Sequence, residues 1–174
     1  VSFLDVGQGD AILIQTPSGQ RLLIDGGPSP TQLLAALGRH LPFWDRRIDL
    51  VLSTHAHDDH LRGLLAVTAR YHVRMILSGA SDSDSATSLA WQKRREDQSI
   101  DTLTVNEPMD IDLGDGLKAQ VWPVAQENES WLLVRLIGPS AHFLFTGDLE
   151  AKGILPLIRS GLSLSCTVLK VPHH

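Results

Sequence analysis

The segment Ser53-Thr54-His55-Ala56-His57-Asp58-Asp59-His60 holds three imidazoles and two carboxylates within its last six residues. Neutral imidazole and carboxylate together suit zinc, manganese or iron. The apolar run from Ile48 to Ser53 reads as a strand leading into this cluster. A loop leaving a strand end can aim alternate side chains at one point. His55 and His57 can then hold one cation, and Asp59 and His60 a second. The competing reading is a solvated loop rich in histidine. Chance rarely places this spacing directly after a strand, so the metal reading is preferred.

Two further segments end apolar runs with candidate ligands. Phe143-Leu144-Phe145-Thr146-Gly147-Asp148 sets a carboxylate after a strand and a glycine, and Val168-Leu169-Lys170-Val171-Pro172-His173-His174 does the same with histidines. Asp148 either bridges two metals or caps a helix running from Glu150. Taken alone the cap is the commoner role, and beside the histidine cluster the bridge is favoured.

The elements that must position these groups are short. Phe3 to Val6, Ala11 to Gln15 and Arg21 to Ile24 read as an antiparallel meander broken by glycine turns. A helix capped by Ser29 or Thr31 follows, with Leu33, Leu34, Leu37 and Leu41 on one face. After the cluster come a helix over Leu61 to Tyr71, a strand near Met75 to Leu77, a polar loop over Ser78 to Ser85 and a helix over Ala86 to Gln98. That last helix carries the only basic triplet, Lys93-Arg94-Arg95, read as a solvated face. Strands then recur at Thr102 to Val105, Leu117 to Val121, Trp131 to Ile137 and His142 to Thr146. A helix over Glu150 to Arg159 and a strand over Leu164 to Val171 close the chain. Two such halves suggest two sheets packed face to face with helices outside, and the pattern alone also allows other α/β layouts.

Composition sets the bounds. A chain of 174 residues, 43% hydrophobic and 20% charged, is enough for one folded domain, 1–174, and argues against disorder. The net charge of -5 argues against a broad basic surface for nucleic acid, so a polyanionic substrate must be held locally, by bound cations for example. The single cysteine, Cys166, excludes an internal disulfide and thiolate-rich zinc sites, and reads as a small buried apolar residue. No stretch reaches the roughly 18 apolar residues of a membrane helix. Both ends read as cuts inside a longer protein.

The sequence resembles the metallo-β-lactamase superfamily, whose hallmark is a His-x-His-x-Asp-His loop, and within it the ComEC-like competence proteins. The resemblance rests on Leu4-Asp5-Val6-Gly7-Gln8-Gly9-Asp10-Ala11, Leu23-Ile24-Asp25-Gly26-Gly27, the cluster at 55–60, Phe143 to Asp148, and Leu169-Lys170-Val171-Pro172-His173-His174. It implies an αββα sandwich of two mixed sheets flanked by helices. It also implies two divalent metal ions, zinc or manganese. His55 and His57 would bind the first, Asp59 and His60 the second, and Asp148 both. A histidine of the last pair would complete the second site. His173, first after the strand, is the preferred choice and His174 its rival. Asp25 would orient a ligand histidine. Gln8, Gly9 and Asp10, in the turn Gly7-Gln8-Gly9-Asp10, would lie near the metal edge, although turn chemistry alone explains the two glycines.

The pattern departs from the family at one point. Most members supply a third histidine to the first metal, and the only histidines between the cluster and Asp148 are His72 and His142, both poorly placed. The corresponding region is Glu127-Asn128-Glu129-Ser130, where Asn128 or Ser130 is the candidate to face the metals or substrate. The first metal is therefore expected to be weakly held. The resemblance implies a metal-dependent hydrolase with Asp59 and Asp148 at its catalytic centre, a nuclease degrading one strand of single- or double-stranded DNA during uptake. It would be part of a cell-membrane channel protein, on the extracytoplasmic side. The alternatives are a small-molecule phosphodiesterase and a non-catalytic module binding DNA or a partner.

Overall fold

The computed structural model describes residues 1–80, 84–126 and 129–172. The N-terminal half builds one mixed sheet from β1 (Ser2–Phe3), β2 (Ile12–Gln15), β3 (Arg21–Ile24), β4 (Arg47–Ser53), β5 (His72–Gly79) and β6 (Asp101–Val105), hydrogen-bonded in that order. The first three are antiparallel, and β3 through β6 run parallel. Parallel neighbours need crossovers, and α1 (Pro30–His40), α2 (Asp58–Arg70) and α3 (Ala86–Asp97) supply them. The second sheet has the order β11 (Val168–Lys170), β10 (His142–Phe145), β9 (Glu129–Ile137), β8 (Lys118–Gln126) and β7 (Met109–Asp112). Only β10 and β11 are parallel there. A fourth helix, α4 (Ala151–Arg159), follows β10.

Strand alternation makes the layers. Leu23 and Val51 point toward α1 and α2, where they pack with Leu33, Leu37, Leu61 and Leu64. Their neighbours Leu22, Ile24, Leu50 and Leu52 point the other way, onto Val121, Leu132, Val134 and Phe145 of the second sheet. The far face of that sheet, with Trp122, Leu133 and Leu144, is covered by Ile154 and Leu157 of α4. The result is the expected αββα sandwich with two mixed sheets.

Several elements differ from the sequence reading, among them the first strand, which is Ser2–Phe3 and not Phe3 to Val6. The strand expected to stop at Val121 runs on through Pro123 to Gln126. Pro123 lies beyond Val121, the last residue paired to β7, so there β8 has β9 alone as neighbour and a missing N–H is tolerated. β7 is absent from the sequence reading although Met109 and Ile111 alternate with Asp110 and Asp112 and turn toward the core, because four residues of which two are aspartate make a weak strand signal. The last strand spans only Val168–Lys170, and the segment before it is held by the Arg135 side chain, which donates to Ser163 O at 3.0 Å and Ser165 Oγ at 3.0 Å. Cys166 is half-buried against the α4 layer rather than fully buried. Of the polar loop expected over 78–85, residues 81–83 lie outside the described set. No helix among the described residues is long and apolar enough to cross a membrane.

The packing of α2 on the β3 loop depends on a glycine contact. A Cβ on Gly63 would sit 1.9 Å from the Gly26 carbonyl oxygen, whereas a Cβ on Gly38, inside α1, would meet nothing within 4 Å. Gly63→Ala is therefore expected to destabilise the domain by about 1–3 kcal/mol or more. Gly38→Ala should instead stabilise it by about 0.5–1 kcal/mol through helix propensity. Urea unfolding of the two variants checks both signs.

Candidate metal centre

The C-terminal ends of β3, β4, β10 and β11 lie at one edge of the sandwich, and the chemistry-bearing residues leave from them. Asp25 follows β3, Thr54 and His55 follow β4, Asp148 follows β10, and Lys170 ends β11. A bond from Leu132 N to Thr54 O at 2.9 Å ties the second sheet to the loop after β4. The helix after the cluster begins at Asp58, earlier than the apolar periodicity suggests, so Asp59 and His60 stand in its first turn. Acidic Asp58 and Asp59 suit that helix end, where backbone N–H groups carry positive partial charge. Asp58 turns outward and pairs with Arg62 at 2.7 Å.

Asp25 is fully buried, with a left-handed φ of 56°. Its Oδ1 accepts from Thr54 N at 2.8 Å, and its Oδ2 accepts from Thr54 Oγ1 at 2.6 Å and from His60 Nδ1 at 2.9 Å. The Thr54 hydroxyl has a single proton, already given to Asp25. It must therefore accept from His55 Nδ1, 2.9 Å away. That assigns the His55 tautomer and leaves its Nε2 as a lone-pair donor, 4.0 Å from Asp148 Oδ2. His60 Nε2 lies 3.1 Å from the same Asp148 oxygen and 4.0 Å from Asp59 Oδ1. Burial opposes charge on His60, but the carboxylates of Asp25 and Asp148 outweigh it and lift its pKa from 6.5 to about 10.

Asp148 is not the cap of α4. The N-cap residue is Glu150, whose backbone N–H donates to Gln126 Oε1 at 2.9 Å. Asp10 is also buried at this edge, and burial pushes its carboxyl up against the opposing pull of Lys170. Lys170 Nζ contacts the Asp10 carboxylate, donates to Gly147 O at 3.2 Å and lies 3.9 Å from Asp148 Oδ1. Gln8 is exposed in the same loop. Its neighbour Gly9, at φ +85°, packs so closely on Asp59 that an added Cβ would sit 2.1 Å from the Asp59 carbonyl oxygen. A side chain there would displace the turn that carries Asp59.

His57 is exposed. Its ring centroid lies 4.6 Å from that of His55, and its Nε2 faces Glu129 Oε2 at 3.6 Å. Ser130 is half-buried at the start of β9, its carbonyl pressed against Gly79. Asn128, His173 and His174 lie outside the described residues. His72 and His142 both begin their strands, at the opposite end from the cluster. Besides Thr54, next to His55 in the cluster, three residues of the site were not singled out from sequence. Lys170 and Glu129 each lay beside a named candidate. Trp131, stacked on the His55 ring at 3.8 Å and 8°, carried no signal beyond its apolar strand.

The donor set fits a divalent cation. Asp59, His60 and Asp148 offer ligand atoms within 4.8 Å of one another, as do Asp25, His55 and His60. Metal–ligand bonds of about 2.0–2.2 Å place ligand atoms roughly 3–4 Å apart, close to these separations. Three buried carboxylates, Asp10, Asp25 and Asp148, also need positive charge to be buried at tolerable cost.

A two-sheet sandwich whose strand ends converge on buried imidazoles and carboxylates is the architecture of one class of metal-dependent hydrolase folds. The chain belongs to that class, the metallo-β-lactamase superfamily, whose family model matches residues 4–174. It is similar to ComE operon protein 3 of Bacillus subtilis (strain 168), 26% identical over 195 residues, and spans all of this chain but only 25% of that protein. That similarity agrees with the relationship to ComEC-like competence proteins. Among solved structures, Rm3 metallo-beta-lactamase aligns with a TM-score of 0.66 at 17% identity, over 98% of this chain and 74% of that one. The short form of human tRNase Z aligns with a TM-score of 0.52 at 14% identity, over 88% and 68%. These structural likenesses concern the fold.

Two outcomes are expected at this site. Thr54→Val keeps the side-chain shape but removes the hydroxyl between Asp25 and His55. It should weaken zinc or manganese binding by about 10–100-fold in calorimetric titration. In metal-free protein, the His60 proton contributes stability fully below pH 6.5 and loses that contribution as pH rises through about 10. Urea unfolding in EDTA should therefore show a fall in stability above neutral pH that is shallower in His60→Gln.

Proposed function

We propose that the domain is a metal-dependent phosphodiesterase whose substrate is DNA. The observation that carries this reading is the position of Asp148. One buried carboxylate oxygen faces both His60 Nε2, at 3.1 Å, and His55 Nε2, at 4.0 Å. A carboxylate that reaches both halves of the cluster suits two cations, and two cations suit a phosphodiester. His55, His57 and Asp148 would hold the first ion. Asp59, His60 and Asp148 would hold the second, together with His173 or His174. Glu129, beside His57, stands where the expected third histidine is missing. When bound, the cations supply positive charge that neutralises a phosphate and acidifies water.

The chain's own residues do the positioning. Asp25 and Thr54 orient the two buried imidazoles. Asp59 is the more open acid, with 25% of its side chain exposed against 1% for Asp148. It is therefore the group placed to accept a hydrogen bond from an attacking water. Lys170 holds Asp10 and the Gly147 carbonyl together beneath Asp148.

The similarity to ComE operon protein 3, of which the chain spans a quarter, supports the setting. The domain would belong to a longer membrane protein on the extracytoplasmic side, with DNA and the rest of that channel as partners, and would degrade one strand during uptake. A nuclease assay on single- and double-stranded DNA with manganese or zinc tests the activity. Wild type should cleave, and His60→Ala and Asp148→Asn should each lose about a hundredfold or more. Cleavage no faster than the His60→Ala background with either metal overturns the reading.

A further inference from the structure

A second polar cavity shares a wall with the metal centre. It holds about 250 Å³ between α3 and the C-terminal ends of β4, β5 and β6, and His55 is one of its lining residues. Liquid water takes up about 30 Å³ per molecule, so the space accepts a group of several heavy atoms. The crevice outside the C-terminal ends of parallel strands is where open α/β sheets commonly take ligands.

Side chains able to donate make up much of its lining. Trp91, Gln92 and Arg95 enter from α3, with Ser78 from β5 and Thr104 from β6. No aspartate or glutamate lines it among the described residues, in a chain whose net charge is -5. Trp91 is only 3% exposed, and its indole N–H has no hydrogen-bond partner among the described residues. A buried N–H left without an acceptor is costly, so an acceptor from a ligand suits it. The Arg95 guanidinium lies 5.9 Å from the centre of the Trp91 ring, so the two side chains adjoin at the cavity wall. Arg95 belongs to the basic triplet that sequence alone reads as a solvated face. In the fold it is half-buried and lines the cavity, whereas Lys93 of the same triplet is exposed and does not.

We propose that this cavity is an anion subsite that receives a phosphate of the substrate neighbouring the one at the metal centre. The inference rests on the phosphodiesterase reading and narrows it. A substrate with successive phosphates gains from the cavity, and a diester with a single phosphate does not. Arg95 and Trp91 are then binding residues that select for a nucleic-acid strand over a small diester.

The test has two arms. The first uses metal-free protein and inorganic phosphate, followed through the indole N–H signals of the four tryptophans by NMR. The Trp91 signal, assigned by its loss in Trp91→Phe, should shift on phosphate addition in wild type and in Lys93→Ala, and stay still in Arg95→Ala. No shift in wild type overturns the proposal, as does an equal response in Arg95→Ala. The second arm uses the metal-loaded enzyme. In Arg95→Ala the KM for an oligonucleotide should rise about tenfold more than the KM for bis-p-nitrophenyl phosphate. Lys93→Ala should change neither. An equal change for both substrates would make the cavity a site for free anions, not a substrate subsite, and overturn the proposal. Absence of hydrolysis of either substrate by wild type marks failure of the phosphodiesterase reading, and the NMR arm still decides whether the cavity binds anions.

Discussion

The geometry of the centre hangs on the buried carboxylate of Asp25. It takes three hydrogen bonds, from Thr54 N, Thr54 Oγ1 and His60 Nδ1, and through the Thr54 hydroxyl it also decides which nitrogen of His55 carries the proton. One group thereby orients both buried imidazoles. An ionised carboxylate with no exposure is costly to hold, and these donors stabilise it. The left-handed backbone of Asp25 is a further local cost, concentrated where function needs a defined geometry.

Asp148 answers Asp25 from the other sheet. His60 lies between them, Nδ1 to one carboxylate and Nε2 to the other. The two sheets therefore meet at this edge through a polar relay, while Leu22, Leu52, Val134 and Phe145 join them through apolar contact farther in. The relay has the right order for a metal site, with a ligand imidazole held from behind by a carboxylate that does not itself have to bind the ion. Lys170 adds a fixed positive charge beneath Asp148 and keeps the loop carrying Asp10 against the same edge. The cavity behind His55 extends the edge toward α3, so one ring borders both the cation site and the donor-lined space.

Much of this was legible in the residues. The cluster at 55–60, the glycine turns and the apolar strands pointed to a centre at strand ends, because ligand types and strand periodicity are local properties. For Asp148 the sequence favours a bridge over a helix cap, and the fold excludes the cap by giving that position to Glu150 and sets Asp148 against His60. The missing third histidine was visible as an absence, but the neighbour of His57, Glu129, was not. Its side chain reaches His57 only because β9 crosses beside the loop after β4.

The sequence by itself determined the candidate donors and the family resemblance, and through that resemblance the sandwich, since motif residues and their spacing are local properties of the chain. The tertiary structure decided which of those donors share a space. It made Lys170 a partner of Asp10, 160 residues away, and turned Arg95 from a helix-surface charge into a cavity wall. It also gave Thr54 a proton-directing role between Asp25 and His55. These are long-range pairings, and no local pattern encodes them. They arise when parallel strands from different parts of the chain end at the same edge.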